Sequence, residues 1–165
     1  TRRSSDLIIC LSSMAVSLVD FFVGLIVYII LVFALGHTLS IHIIYLPIAL
    51  ILTLLTSLGL GILFASFSVK YRDLLQIIPL IVQYGFFVTP VVYTSQSLIH
   101  SKWYIYYSIL NPLAGLVEFF RFGLLEEYRL FDLNILLLSA TSTVVVFLFS
   151  LFVFHRREDS FVDHL

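Results

Sequence analysis

Charge is the first thing in short supply. Only 12% of the 165 residues are charged, against 61% hydrophobic residues. A soluble domain normally carries about 25% charged residues to keep its surface wet. The deficit means that much of this surface faces lipid. The net charge is −1, which leaves neither the basic field of a nucleic-acid binder nor an acidic tail. One cysteine, Cys10, excludes an internal disulfide framework and a Cys-based zinc site. The chain has one methionine, Met14, and opens Thr1-Arg2-Arg3. A signal peptide does not fit this start. The apolar run Leu7–Leu35 outlasts a short h-region and contains Asp20, and Cys10 follows Ile9 where a lipoprotein site wants a small residue. The start reads as a truncated or processed N-terminus.

Catalytic signatures are missing as well. There is no GxxxxGK[ST] phosphate loop, so this chain is not expected to hydrolyse ATP. The five histidines (His37, His42, His100, His155, His164) lie at or beyond the ends of apolar stretches and form no HExxH pair. No GxSxG elbow is present. The expectation is a chain with no catalytic residues, no metal and no bound cofactor.

Long apolar runs are what the sequence has. About 20 apolar residues cross a bilayer as a helix, and four stretches are long enough: Leu7–Leu35, Ile43–Val69, Leu74–Tyr93 and Leu133–Phe154. The first would be roughly 43 Å long as a straight helix, so it must tilt, break or extend beyond the hydrocarbon. A fifth stretch, Trp103–Val117, is too short and is interrupted by Asn111-Pro112. Residues 103–121 read as a re-entrant or interfacial helical element, with Trp103, Tyr104, Tyr106 and Tyr107 suited to the headgroup boundary. The fold class is therefore an all-α polytopic membrane bundle, one domain over residues 1–165.

Cations orient the spans. Arg2 and Arg3, Lys70 and Arg72, and Arg156 and Arg157 fall on one side if the four segments alternate. The other side has no Lys or Arg in the short loop Gly36–His42. Its longer loop offsets Lys102, Arg121 and Arg129 with Glu118, Glu126, Glu127 and Asp132. The positive-inside rule then puts both ends of the chain and the loop at 70–73 in the cytoplasm.

Helices in lipid associate through close approach and polar bonds. Thr53, Ser57, Gly61 and Ala65 form a ladder at spacing four, for packing within the subunit or between subunits. Ser13, Ser17, Asp20 and Gly24 cluster within about 60° on the first span. A carboxyl group facing lipid costs ~3 kcal/mol on insertion scales, so this stripe should face protein or a watery cavity. Asp20 is then either a packing hydrogen bond or a channel-facing residue. The run Ser139–Thr143 reads as packing polarity.

Three local patterns remain, in order. Lys70-Tyr71-Arg72-Asp73 follows the second span. Gln83-Tyr84-Gly85-Phe86-Phe87-Val88-Thr89-Pro90-Val91-Val92-Tyr93 closes the third. Leu110-Asn111-Pro112-Leu113-Ala114-Gly115-Leu116-Val117-Glu118-Phe119-Phe120-Arg121 comes next. This set resembles the ABC-2 type permeases that export polysaccharides, such as O-antigen, capsule and teichoic-acid exporters. Tyr71-Arg72-Asp73 matches the family's Y/R-R-D turn. Residues Phe87–Tyr93 match F-x-(T/S)-P-V-x-Y, and Asn111–Arg121 match N-P-L-(A/T)-x-x-(I/V)-E-x-(F/Y)-R. Val19-Asp20-Phe21 matches V-D-F in the third span of such permeases. The resemblance covers roughly residues 7–155. In the family an interfacial helix, two spans and a cytoplasmic turn come earlier, and a (Y/F)-P-R lead stands where this chain has Arg2-Arg3-Ser4-Ser5. The chain thus looks like the C-terminal part of such a permease.

The resemblance implies two permease subunits working with two separate ATPase subunits, which bind ATP and magnesium. It implies export of a lipid-linked polysaccharide or polyol-phosphate polymer across the bacterial cytoplasmic membrane. Lys70, Tyr71, Arg72 and Asp73 would form an ATPase-coupling turn, or only a topology signal. Asp20, Gln83, Tyr84, Phe86, Phe87, Pro90, Tyr93, Asn111, Pro112, Glu118 and Arg121 would border the substrate path and outer gate. Aromatics make up 16% of the chain; their faces suit sugar rings, and equally suit lipid. Glu118 and Arg121, at i,i+3, can pair on a helix. Alternatives are a membrane-embedded enzyme acting on lipid-linked sugars through the Lys102–Asp132 loop, a channel-forming subunit, or a truncated permease without activity.

Overall fold

The computed structural model describes residues 2–68, 71, 73–93, 102–125 and 132–162, and every regular element among them is helical. The chain divides into two compact units, residues 1–41 and 42–165.

The first unit is one helix, α1 (Arg2–Ala34), 33 residues long. Its apolar part, Met14–Ala34, is long enough to cross a membrane. Gly36 ends it, at φ +74, a backbone conformation that an L side chain resists. The Gly36 N–H donates to Phe33 O at 3.1 Å and the His37 N–H to Val32 O at 3.0 Å, a Schellman closure of the last carbonyls. Ser17, Asp20 and Gly24 are all exposed on α1. The Ser13 side chain lies outside the described residues.

The second unit opens with a 3-10 turn, Ile41–Tyr45, that runs into α2 (Leu46–Ser68). It continues with α3 (Leu74–Val88), α4 (Lys102–Leu110), α5 (Pro112–Leu124) and α6 (Leu133–Val162). Two of these stretches, Ile41–Ser68 and Leu133–Arg156, are long and apolar enough to cross a membrane. The elements α2, α5 and α6 pack on one another, α4 packs on α5 and α6, and α3 packs on α2.

Helix bounds differ from the apolar runs at the start of α1, at the end of α3 and at the end of α6, and agree at the Asn111-Pro112 break. The third span stops at Val88, not Tyr93, and its 15 residues make only about 22 Å of helix. Pro90 is the cause: a residue before proline is pushed out of the α region, and Thr89 is extended at φ −77, ψ 136. The last helix continues past Phe154 to Val162, although its apolar stretch ends at Arg156. Asn111-Pro112 splits the fifth stretch into α4 and α5, with Pro112 in the first turn of α5, where a missing N–H costs nothing.

The core is polar where it is tightest. Thr56 on α2 and Thr143 on α6 are fully buried and share a hydrogen bond of 2.9 Å. The Ser142 hydroxyl donates to Ile109 O on α4 at 3.0 Å. The exposed faces carry Ile51, Val145, Leu148 and Phe152. The polarity expected of residues 139–143 is therefore packing polarity. The α2 ladder is not a close contact within the second unit: Ser57, Gly61 and Ala65 are exposed, and nothing lies within 4 Å of a Cβ built on Gly61, which leaves the alternative of a contact between subunits. The close approach is two residues away, at Gly59, where a Cβ would sit 3.1 Å from Phe147 Cα. Helical pitch explains this, because Gly59 shares a face with Thr56 and Gly61 does not.

Gly115 marks the tightest contact of α5 with α6. A Cβ there would lie 2.1 Å from Ser139 Oγ and 3.0 Å from Ser139 Cβ. That Ser139 hydroxyl is buried without a hydrogen-bond partner. Gly115→Ala should destabilise the intact protein by about 1–3 kcal/mol through overpacking. Ser139→Ala alone should be neutral or stabilising, and should restore part of the loss when combined with Gly115→Ala. Thermal unfolding in detergent checks this; additive single and double variants would refute the contact.

Candidate functional site

The helix α3 ends without a regular successor, and its last backbone groups need other partners. Beyond Val88 the chain runs Thr89-Pro90-Val91-Val92-Tyr93. Thr89 and Pro90 are buried, and Val92 and Tyr93 are exposed. The Thr89 N–H still donates to Gly85 O at 2.8 Å. The Val91 N–H donates to Thr89 O at 2.7 Å, and the carbonyls of Val88, Val91 and Tyr93 are taken by side chains.

Three elements supply those side chains. The Tyr93 hydroxyl donates to Val88 O at 3.0 Å, and the Tyr107 hydroxyl on α4 donates to the same oxygen. One carbonyl has lone pairs for both. At the α4–α5 break, the Asn111 amide donates to Thr89 Oγ1 at 3.0 Å. On α5, Arg121 Nη2 donates to Val91 O and to Tyr93 O, each at 3.0 Å. Arg121 Nη1 donates to Glu118 Oε1 at 3.0 Å. Glu118 is buried, and the guanidinium supplies a counter-charge to its carboxylate there.

Local sequence dictates this arrangement. Pro112 follows Asn111, which breaks the helix and leaves the Asn111 side chain outside both ladders. Pro112, Gly115, Leu116, Phe119 and Gly123 form the buried stripe of α5, at helical spacing. Glu118 and Arg121 lie one turn apart beside that stripe. The arrangement offers no free nucleophile. Its carboxylate is neutralised by a cation, and its chemistry is that of a clamp on a backbone segment.

The structure brings together Pro90, Tyr93, Asn111, Pro112, Glu118 and Arg121. It sets Gln83, Tyr84, Phe86 and Phe87 on exposed positions of α3, before the clamp. Tyr71 and Asp73 lie at the opposite end of α3. Both are exposed and line an open groove of about 440 Å³ with Phe64, Phe67, Leu74 and Ile77. Lys70 and Arg72 lie outside the described residues. Asp20 belongs to α1, in the other unit.

Sequence reading missed one clamp residue. Tyr107 is grouped there with the headgroup aromatics, yet it reaches inward. Spacing held the signal: Tyr104 and Tyr107 are three apart on the inner face of α4, whereas Trp103 and Tyr106 share the outer face, at 78% and 67% exposure.

The sequence was then compared with known proteins. Residues 3–125 match the family model described as ABC-2 type transporter. The O-antigen export system permease protein RfbA of Myxococcus xanthus is 25% identical over 154 residues, which is 93% of this chain. The chain spans 59% of that relative's length. No solved structure matches.

Burial, reinforced by the Tyr93 hydroxyl, pushes the Tyr107 phenol above the ordinary tyrosine range, with the Asn111 amide acting in the opposite sense. The neutral phenol is the donor to Val88 O. Its contribution to stability is complete below the unfolded value of about 10 and is lost as pH rises towards the folded one. Tyr107→Phe should therefore cost about 1 kcal/mol at neutral pH. The gap from the unsubstituted protein should stay constant up to about pH 10 and narrow above it. Unfolding curves at a series of alkaline pH values test this; a gap that widens would contradict the bond.

Proposed function

The chain belongs to the ABC-2 type transporter family, and from that premise we propose that it is part of the permease subunit of an ATP-driven exporter. The cargo is a lipid-linked polysaccharide or a polyol-phosphate polymer, carried across the bacterial cytoplasmic membrane. The observation that carries this reading is the clamp. The segments Phe87–Tyr93 and Asn111–Arg121, on which the resemblance to polysaccharide exporters rests, are joined by direct hydrogen bonds. The name of the Myxococcus xanthus relative, an O-antigen export permease, supports the same cargo class.

ATP and its magnesium are bound by a separate ATPase subunit. The groove of Phe64, Phe67, Tyr71, Asp73, Leu74 and Ile77 is where that partner engages, on the cytoplasmic side, with both ends of the chain. Lys70 and Arg72 flank it in sequence. The clamp then lies towards the outer face.

A second permease copy completes the passage. On α3, Gln76, Leu80, Gln83 and Phe87 fall within about 60° of one another, and all are exposed. The half-buried positions Leu74, Ile78 and Gly85 lie on the opposite side. An amide left unpaired in hydrocarbon costs roughly 2–7 kcal/mol, so the glutamine face does not meet lipid. Amides both donate and accept, so this face is complementary to its own copy. Tyr84 and Phe87 lie beside it, with ring faces that fit sugar rings.

Three measurements test the reading. The full-length protein should copurify with an ATPase, and deletion of its gene should remove surface polysaccharide. With Cys10 replaced by Ser, Gln83→Cys should give a disulfide-linked dimer in oxidised membranes. Intact surface polysaccharide after deletion would refute the exporter. A Gln83→Cys protein that stays monomeric and labels with a lipid-soluble but not a water-soluble maleimide would refute the passage.

A further inference from the structure

We propose that Arg121 is the positioning residue that makes the far end of α3 and the α4–α5 hairpin move as one body. Tyr107 and Asn111 join the base of the segment to the hairpin, and displacement of its tip, Val91–Tyr93, reaches the hairpin through this guanidinium. The inference rests on the reading of the chain as an ATP-driven permease.

Four features of the link carry it. First, Arg121 holds main chain, not side chain. Its acceptors are Val91 O and Tyr93 O, 30 and 28 residues away in sequence. A bond to a carbonyl does not relax when a side chain changes rotamer, so it drags the backbone. Second, one nitrogen serves both carbonyls while the other holds Glu118 at 3.0 Å. A planar fork satisfies three fixed acceptors at once, whereas an ammonium is a point charge with no preset directions. Third, Glu118 lies one turn earlier on α5 and is buried, so the guanidinium is anchored to the helix it must move. Fourth, the segment is held at two levels. Tyr107 and Asn111 hold its base, at Val88 and Thr89, and Arg121 holds its tip. Loss of Arg121 frees the tip while the base stays attached. Fold and transmission are thereby separable.

The neighbouring chemistry favours a mechanical role. Both donors of Nη2 are occupied by backbone and one donor of Nη1 by a carboxylate, so most of the fork is committed to holding the protein's own chain. Gly115 also lets the hairpin sit close to α6.

The test uses the full-length permease with its ATPase in nanodiscs, with Cys10→Ser. Spin labels are placed on Val92→Cys and Leu125→Cys, both at exposed positions. Distances are measured by pulsed electron resonance without nucleotide and with trapped ATP, and hydrolysis is assayed in the same sample. With Arg121 present, one narrow distance should persist in both states. With Arg121→Gln, and equally with Arg121→Lys, the distribution should roughly double in width, and its mean should shift when ATP is trapped. An unchanged width in Arg121→Gln, with hydrolysis intact, would overturn the link and leave the exporter standing. A pair that separates with Arg121 in place would do the same. Absence of hydrolysis in the unsubstituted complex would sink the exporter reading, and the link with it. A purely structural Arg121 would lower the yield of folded protein without altering the width in what remains.

Discussion

Helices in a bilayer gain nothing by hiding apolar surface from one another, because lipid is as apolar as leucine. Everything in the second unit follows from this. Its seams are built from backbone proximity and hydroxyl bonds: Gly59 against Phe147, Gly115 against Ser139, and Thr56 with Thr143. Its exposed faces are the ones rich in Ile, Leu, Val and Phe. A water-soluble protein inverts this order. Contacts of this kind act only over short range, so the positions of a few small residues determine how the helices sit.

The clamp answers a related need. Backbone that leaves a helix loses its ladder partners and takes others. Pro90 forces such a departure at the end of α3. The freed carbonyls of Val88, Val91 and Tyr93 must find donors, and tyrosine hydroxyls and a guanidinium provide them. Pro90 is thus more than a helix terminator, because Tyr107 and Arg121 bind the carbonyls around it. The buried Glu118 follows in turn, since a half-buried cation needs a counter-charge.

Much of this was legible in the sequence, and the exceptions have physical reasons. Apolar run length identified the long helices, and Asn111-Pro112 identified the break between α4 and α5. The i,i+3 spacing announced the Glu118–Arg121 pair. The two carbonyls that Arg121 holds were not legible, because an acceptor on the main chain leaves no mark on residue type. The ladder Thr53, Ser57, Gly61 and Ala65 did not mark the contact of α2 within the second unit. Small residues allow close approach but do not compel it, and Thr56 and Gly59 supplied a second small face one step around the helix. Tyr107 was hidden among aromatics whose composition suits an interface equally well.

The dimensions of α3 then acquire meaning. At about 22 Å it is shorter than the roughly 30 Å hydrocarbon layer, and it borders an open groove at one end and is clamped at the other. A helix is stiff along its axis because each turn is bonded to the next. A short one with both ends engaged behaves as a rod. Pro79 is its single interior irregularity, removing one hydrogen bond in the rung to Leu75. A rod with one softened turn can tilt or bend there without losing its grip at either end. On the proposed reading, a push at the groove near Tyr71 and Asp73 emerges as displacement of Val91 and Tyr93. The clamp decides whether that displacement stays in α3 or moves the hairpin.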